Sequence, residues 1–294
     1  MPRQGNFSIP ACTRFAATWD RMAEKVREVF PAAPAPPVGG REGVLAAVEA
    51  NRIDDAYNSL AIEGYEVTPS LVQRVADPEW DPAQHADEDR PHALAVRGYL
   101  NAFGLVKDTL AGEMSGRVIV ENYEGWYQAL FMPLLESHGL RRGDIMGYRR
   151  HMVVLSTSRH VPSAWEAVPD LMRVYREKLS AETSPEVQAV LGHFAFGYIH
   201  PYQDGNGRTS RFIMNAALVA GGHPWTVIRM ENRAEYLKAL DAASIDENIE
   251  PFSRFVQKEM AASSQTTKLP EVPHVSRTHI AGCDDKRVDS RSLG

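Results

Sequence analysis

The chain has 294 residues, 44% of them hydrophobic and 24% charged, with a formal net charge of −6 at neutral pH. That length suits one sizeable domain with extensions, and the acidic balance, with no Lys/Arg run interleaved with aromatics, argues against a nucleic-acid partner. No run of about 18 apolar residues and no charged-then-apolar leader occurs, so neither a membrane span nor a signal peptide is indicated. Two cysteines near opposite ends, Cys12 and Cys283, give no disulfide framework, and a reducing cytoplasm is the simplest location.

In chain order, the first predicted helix covers 13–30, and the Pro/Ala/Gly-rich stretch 31–40 reads as a linker. A second helix is predicted over 44–62, where Val44, Leu45, Val48, Ile53, Ala56 and Leu60 recur at helical spacing. Ser59 and Glu63 then fall one turn apart on one face, and Gly64 ends the helix. The acidic, proline-containing run 77–91 reads as a connection. Helices follow over 92–110 and 123–138. Residues 147–162 are rich in β-branched side chains and close on Pro162, which predicts a short hairpin. Helices resume over 165–181, 187–199, 208–220, 233–243 and 252–262. From 263 the composition turns polar, as in a disordered tail. The sum is a mainly α fold, a helical bundle with one β-hairpin, divided into an N-terminal helix and linker at 1–40, a helical segment at 41–91, a core at 92–262 and the tail at 263–294.

The densest chemistry lies between two of these helices, where residues 200–211 read His-Pro-Tyr-Gln-Asp-Gly-Asn-Gly-Arg-Thr-Ser-Arg. Gly205, Asn206 and Gly207 tolerate the positive φ angles that turn successive N–H groups toward one point, and the following helix adds the positive end of its dipole. An anion fits there. Arg208 and Arg211 are three apart, so their guanidinium forks share a helix face and suit a polyphosphate better than a single phosphate. Asp204, at the lip of the turn, is a hard oxygen ligand for Mg²⁺ bridging a carboxylate and a diphosphate. His200, with an ordinary pKa of about 6.5, is a base for a hydroxyl proton. Together these groups describe nucleotide transfer to a hydroxyl.

This run resembles the signature of the Fic (filamentation induced by cAMP) family, His-x-Phe-x-Asp/Glu-Gly-Asn-Gly-Arg-x-x-Arg, with Tyr202 where Phe is usual. The resemblance implies a Fic-type helical bundle and protein AMPylation: transfer of AMP from ATP to a Ser, Thr or Tyr hydroxyl of a target protein, with release of pyrophosphate. It implies that His200 is the general base and Asp204 the Mg²⁺ ligand. Asn206 and the backbone of Gly205 and Gly207 would form an anion hole at the α-phosphate, with Arg208 on the β-phosphate and Arg211 on the γ-phosphate. Gly207 sets the chain apart from the Doc-type branch, which phosphorylates its target and carries lysine there.

Residues 59–64, Ser-Leu-Ala-Ile-Glu-Gly, resemble the family's inhibitory motif Ser/Thr-x-x-x-Glu-Gly/Asn, in the class II arrangement whose inhibitory helix precedes the core. The resemblance implies that Glu63, beside Ser59 on that helix, pairs with Arg211 and takes the space of the γ-phosphate. ATP then binds with its α-phosphate misplaced for in-line attack. The same glutamate is associated in some members with the reverse reaction, hydrolytic removal of AMP. Residues 147–162 resemble the flap that covers the nucleotide and docks the target segment by strand addition. The implied partners are ATP, Mg²⁺ and a hydroxyl-bearing protein target, the chain itself included. Oligomeric state, a homodimer included, stays open.

Two other readings are available. His193 and His200 are two turns apart on one helix and, with Asp204, sketch a metal-dependent phosphohydrolase, although that leaves the arginines and the Gly-Asn-Gly turn without a role. A nucleotide-binding regulator with no turnover would need neither the base nor the metal ligand.

Overall fold

The computed structural model describes residues 8–30, 39–81, 90–112, 115–136, 141–155 and 158–266. Among them the chain is helical and contains no strand, in line with the expected α-helical bundle. Its centre is a pair of helices, α9 (Pro185–Ile199) and α10 (Asn206–Ala220), joined by residues 200–205. Every residue of α9 from Glu186 to Phe196 is buried, and a helix with no solvated face must be enclosed by protein. It starts where Ser184 Oγ accepts the Val187 N–H at 3.3 Å and Pro185 takes the first helical position.

The enclosing helices are α1 (Ser8–Val29), α8 (Val168–Ala181), α11 (Arg233–Ile245) and α12 (Glu250–Thr266) around α9, with α5 (Arg90–Leu110) and α6 (Gly116–Glu136) against α10. The N-terminal helix belongs to this core. Its Phe15, Trp19, Met22 and Val26 form a buried stripe at three- and four-residue spacing against α8 and α9. Of the predicted linker, 31–38 lies outside the described residues, as do 82–89 of the predicted connection.

The helix predicted over 44–62 is two helices, α2 (Gly40–Ala50) and α3 (Arg52–Ile62). The break has a local cause. The side-chain amide of Asn51 donates to the Ala47 carbonyl at 2.8 Å, the acceptor its own backbone N–H would have used, and that N–H turns to Val48 O at 3.0 Å. An element absent from the sequence reading follows, α4 (Pro69–Ala76), capped by Thr68 Oγ1, which accepts the Leu71 N–H at 3.1 Å. Both α3 and α4 pack on α5.

The hairpin predicted over 147–162 is a correction: its described residues form an irregular strap after the short helix α7 (Arg142–Ile145). Besides local bonds such as Ser158 N–H to Leu155 O at 3.2 Å, the strap is tied to the elements beneath it. Arg149 N–H donates to Pro201 O at 2.8 Å, the His160 ring to Tyr198 O at 2.9 Å, and Ser158 Oγ to Asp241. Residues 156–157 of this segment lie outside the described residues. At the other end, α12 runs past the predicted boundary, and Ser263 is buried with its Oγ accepting the Val227 N–H at 3.1 Å. The tail from 267 lies outside the described residues. No helix among those described is long and apolar enough to cross a membrane.

A very close helix contact is at Gly98 on α5, where an added Cβ would lie 2.0 Å from the Leu130 carbonyl of α6. Gly104, on the same helix, has open space at that position. Opposite outcomes follow for one substitution. Gly98→Ala is expected to lower unfolding free energy by about 1–3 kcal/mol by forcing the helices apart, whereas Gly104→Ala should raise it by roughly 0.5–1 kcal/mol. Denaturant melts of the two variants provide the check, and equal signs would contradict this packing.

Candidate active site

Helix α9 ends at His200, which adopts the left-handed conformation (φ 53°, ψ 61°) while its N–H still bonds Phe196 O at 2.9 Å. Glycine usually fills that position, and a side chain there costs on the order of 1–2 kcal/mol. The surrounding loop fixes it. Tyr202 is buried and stacked on Tyr127 at 3.8 Å, so the ring expected as an apolar anchor is one. Asn206 closes the loop, its Nδ2 donating to Tyr202 O at 2.9 Å and its Oδ1 accepting the Tyr202 N–H at 3.0 Å.

Of the three residues expected to use positive φ, only Gly205 does (φ 81°), and an added Cβ there would meet the Phe131 ring at 2.8 Å. Asn206 and Gly207 are instead the first residues of α10. The N–H groups of Asn206, Gly207 and Arg208 are at the helix start and have no intrahelical acceptor, so an anion would be met there by the helix terminus instead of by a positive-φ turn. The Asn206 amide is committed to the loop.

Arg208 is fully buried between the rings of Tyr65 and Phe131, each 5.1 Å from the guanidinium carbon. Its Nη2 donates to Asp204 Oδ2 at 2.9 Å, while Nε and Nη1 meet no partner. A buried cation with two unmatched donors is a strong pointer to an anionic ligand. Asp204 itself is 60% exposed at the lip. One accessible carboxylate beside a phosphate site is the donor set that Mg²⁺ uses when it shares its ligands with a nucleotide, so the residues present fit that ion.

Arg211 projects toward α3. Its side chain is only 3% exposed, with Nε donating to Ser59 Oγ at 2.7 Å and Nη2 to both Ser59 O at 3.0 Å and Glu63 Oε1 at 2.7 Å. Glu63 Oε1 would stand 2.2 Å from a Cβ on Gly207, which places the carboxylate on the first turn of α10. The helix carrying it is anchored along its length. Tyr99 donates to Asp55 Oδ2 at 2.7 Å, Met230 N–H to Asn58 Oδ1 at 2.9 Å, and Arg233 Nε to Ile62 O at 2.9 Å. Burial pushes the Asp55 carboxyl up to about 6, against the opposing pull of its hydrogen bonds and of Arg211.

Burial, reinforced by Arg149, holds the His200 imidazole down at about 4, so it is neutral at pH 7. It borders a cavity of about 290 Å³ whose lining includes Glu63, Gly207, Arg211, Leu237 and Leu240. His193 also faces this cavity. Its Nε2 lies 2.9 Å from the Tyr236 hydroxyl, and burial lowers its pKa to about 3. Among the described residues no group of three or more His, Cys, Asp or Glu lies close enough to hold a metal ion, so the phosphohydrolase set of His193, His200 and Asp204 does not assemble. Sequence reasoning missed Arg149, Asp55, and the Tyr65–Phe131 sandwich around Arg208. Nothing in the spacing separates the buried Arg149 from its neighbour Arg150.

Residues 121–218 match the model of the Fic/DOC family. A protein adenylyltransferase Fic from Nematostella vectensis is 28% identical over 282 residues, covering 92% of this chain and 61% of that protein. A protein of the same name from Drosophila willistoni is 36% identical over 113 residues, 37% of this chain and 22% of the relative. The chain therefore spans less than two thirds of the length of these relatives. Among solved structures, Fic-1 (residues 134–508) from C. elegans has a TM-score of 0.58 at 21% identity, covering 88% of this chain and 73% of that one. A Fic domain containing signaling protein from Bacteroides thetaiotaomicron has a TM-score of 0.56 at 18% identity, covering 85% and 96%. Both likenesses are of fold.

The Asp55 anchor generates a pH prediction. Its folded pKa, about 6, lies above the ordinary 3.8, so the folded state binds the extra proton between those values. The contribution of Asp55 to stability is therefore greatest below about 4 and falls as pH rises through 6. Asp55→Asn keeps an acceptor for Tyr99 without the charge, and is expected to be more stable than the parent by about 1–3 kcal/mol at pH 8 and equal to it near pH 4. Thermal melts at both pH values decide it; a pH-independent difference would refute the buried charge.

Proposed function

We propose, from the match of residues 121–218 to the Fic/DOC family, that the protein transfers AMP from ATP to a Ser, Thr or Tyr hydroxyl of a protein target and is held inactive by Glu63. The observation that carries this reading is that a neutral His200 and the buried Arg211 line one cavity with Gly207 of the first turn of α10, the turn on which Arg208 keeps two unmatched donors. Relatives named protein adenylyltransferase support the reaction class.

In the proposed step the target hydroxyl oxygen attacks the α-phosphorus while His200 takes its proton. The bond to the β-phosphate oxygen breaks, and pyrophosphate leaves with the electron pair. The N–H groups at the start of α10 steady the charge that grows on the α-phosphate oxygens. Arg208 grips the β-phosphate and Arg211 the γ-phosphate. Asp204 would hold Mg²⁺, whose charge neutralises the diphosphate. Asn206 contributes by keeping the loop closed on Tyr202. Leu237 and Leu240 offer the base an apolar wall.

Arg211 cannot serve Glu63 and a γ-phosphate together. With Glu63 in place the triphosphate is displaced, and loss of in-line alignment alone is enough to suppress the reaction. The target includes the chain itself, which gives the simplest assay.

Purified parent, Glu63→Gly and Glu63→Gly/His200→Ala are incubated with Mg²⁺ and α-labelled ATP. Glu63→Gly is expected to label itself at least roughly tenfold faster than the parent, and the double variant not at all while binding ATP within about twofold of Glu63→Gly. Arg211→Ala should weaken ATP binding by about tenfold despite freeing Glu63. Equal labelling of parent and Glu63→Gly would sink the inhibition, and no labelling of either would sink the transfer.

A further inference from the structure

One buried cation near the site has no part in gripping phosphate. Arg149 is 3% exposed, and its guanidinium is surrounded by main-chain carbonyls. Nε donates to His200 O at 2.8 Å, Nη1 to His151 O at 3.0 Å and Nη2 to Ser163 O at 2.5 Å, with Ile199 O 3.5 Å from Nη2. Its own N–H donates to Pro201 O at 2.8 Å. Three consecutive residues at the end of α9, Ile199, His200 and Pro201, thus present their carbonyls to one arginine.

That placement answers two physical demands at once. The last carbonyls of a helix have no intrahelical donor and carry the negative end of its dipole, so a cation there is stabilised. The backbone of His200 is in a conformation that a side chain disfavours, and it persists only when its neighbours over-determine it. Arg149 supplies that determination. A guanidinium is a rigid planar fork, so bonds from its separate nitrogens fix the orientation of the carbonyls relative to one another as well as their distance. Orienting the His200 carbonyl fixes ψ at His200, and with the backbone set, the Cα–Cβ direction of the imidazole is set too.

We infer that Arg149 is a positioning residue for the reaction proposed above: its fork locks the left-handed backbone of His200 and so aims the imidazole at the hydroxyl. The inference rests on the AMP-transfer reading. It does not extend to nucleotide binding, because the half of the strap that borders the cavity has anchors of its own in the Ser158–Asp241 and His160–Tyr198 bonds.

The test uses the full chain carrying Glu63→Gly, with self-labelling at saturating ATP, ATP affinity and thermal stability measured for added Arg149→Lys and Arg149→Ala. Lysine keeps the charge but replaces the fork with a single point. Both variants are expected to lose about 10- to 100-fold in labelling rate, the scale of a misaimed catalytic group, with ATP affinity within about twofold. Millimolar guanidinium should restore part of the Arg149→Ala rate, where sodium at equal ionic strength should not. Full activity in Arg149→Lys would overturn the inference, because charge alone would then suffice. So would rate and ATP affinity falling together in proportion to lost stability. If Arg149→Ala does not fold, the lysine variant still decides through its rate and affinity. Absence of labelling in the Glu63→Gly parent would be a failure of the transfer reading instead, visible before any Arg149 variant is measured.

Discussion

A guanidinium as deeply buried as that of Arg211 must be matched by an anion, because water is not there to solvate it and removal of one partner from a buried pair costs several kcal/mol. In this chain the anion is Glu63 of α3, lying over the first turn of α10. The proposed catalytic state satisfies the same demand with the γ-phosphate. The two states therefore differ by exchange of one anion for another. An exchange leaves the buried charge matched in both, so it is compatible with a folded core throughout.

The rest of the architecture serves to keep that exchange local. Helices α9 and α10 are buried on nearly all sides, so the residues joining them start and end at fixed points. Within the loop, Asn206 bonds both polar groups of Tyr202, and Tyr202 is stacked on Tyr127. Gly205 lets the backbone turn where Phe131 and Tyr127 leave no room for a side chain. Each bond restrains the loop backbone, and none consumes Arg208 Nε or Nη1. Rigid loop and unmatched donors are complementary features of an anion site, since donors that would otherwise collapse onto local acceptors are held apart from them.

What the sequence disclosed follows the same division. Periodicity located most of the helices, because burying one face leaves a repeat of apolar positions, and spacing brought His200, Asp204, Arg208 and Arg211 onto one turn of chain. Ser59 and Glu63, one turn apart, both meet Arg211, the Glu63 contact being the one the resemblance implied. The misses arise where a side chain competes with the backbone or where distant segments decide. Asn51 breaks a helix that its apolar pattern would continue, by taking the carbonyl of Ala47. The Thr68-Pro69 pair is a legible helix start, an N-cap followed by proline, but at eight residues α4 is too short for a clear periodicity. The 147–162 segment has strand-forming residues but is tied to Pro201, Tyr198 and Asp241 of the elements below, which no local pattern reports. Arg149 is buried only because the ends of α9 and of the strap converge on it.

The proposed release of Glu63 need not move α3. Arg211 holds Ser59 through Nε and through the Ser59 carbonyl, independently of the carboxylate. Asp55, Asn58 and Ile62 tie the same helix to Tyr99, Met230 and Arg233. Glu63 stands just past the last helical residue, followed by Gly64 at φ 87°, and its side chain is 30% exposed. The carboxylate is thus the most yielding part of an otherwise fixed contact. With it gone, Ser59 continues to orient the Arg211 fork, and the freed Nη2 faces the start of α10 where an incoming phosphate would lie. The proposed inhibitory helix would then double as part of the wall that shapes the active site, so that inhibition is concentrated in one side chain while the helix that bears it is anchored by five other hydrogen bonds.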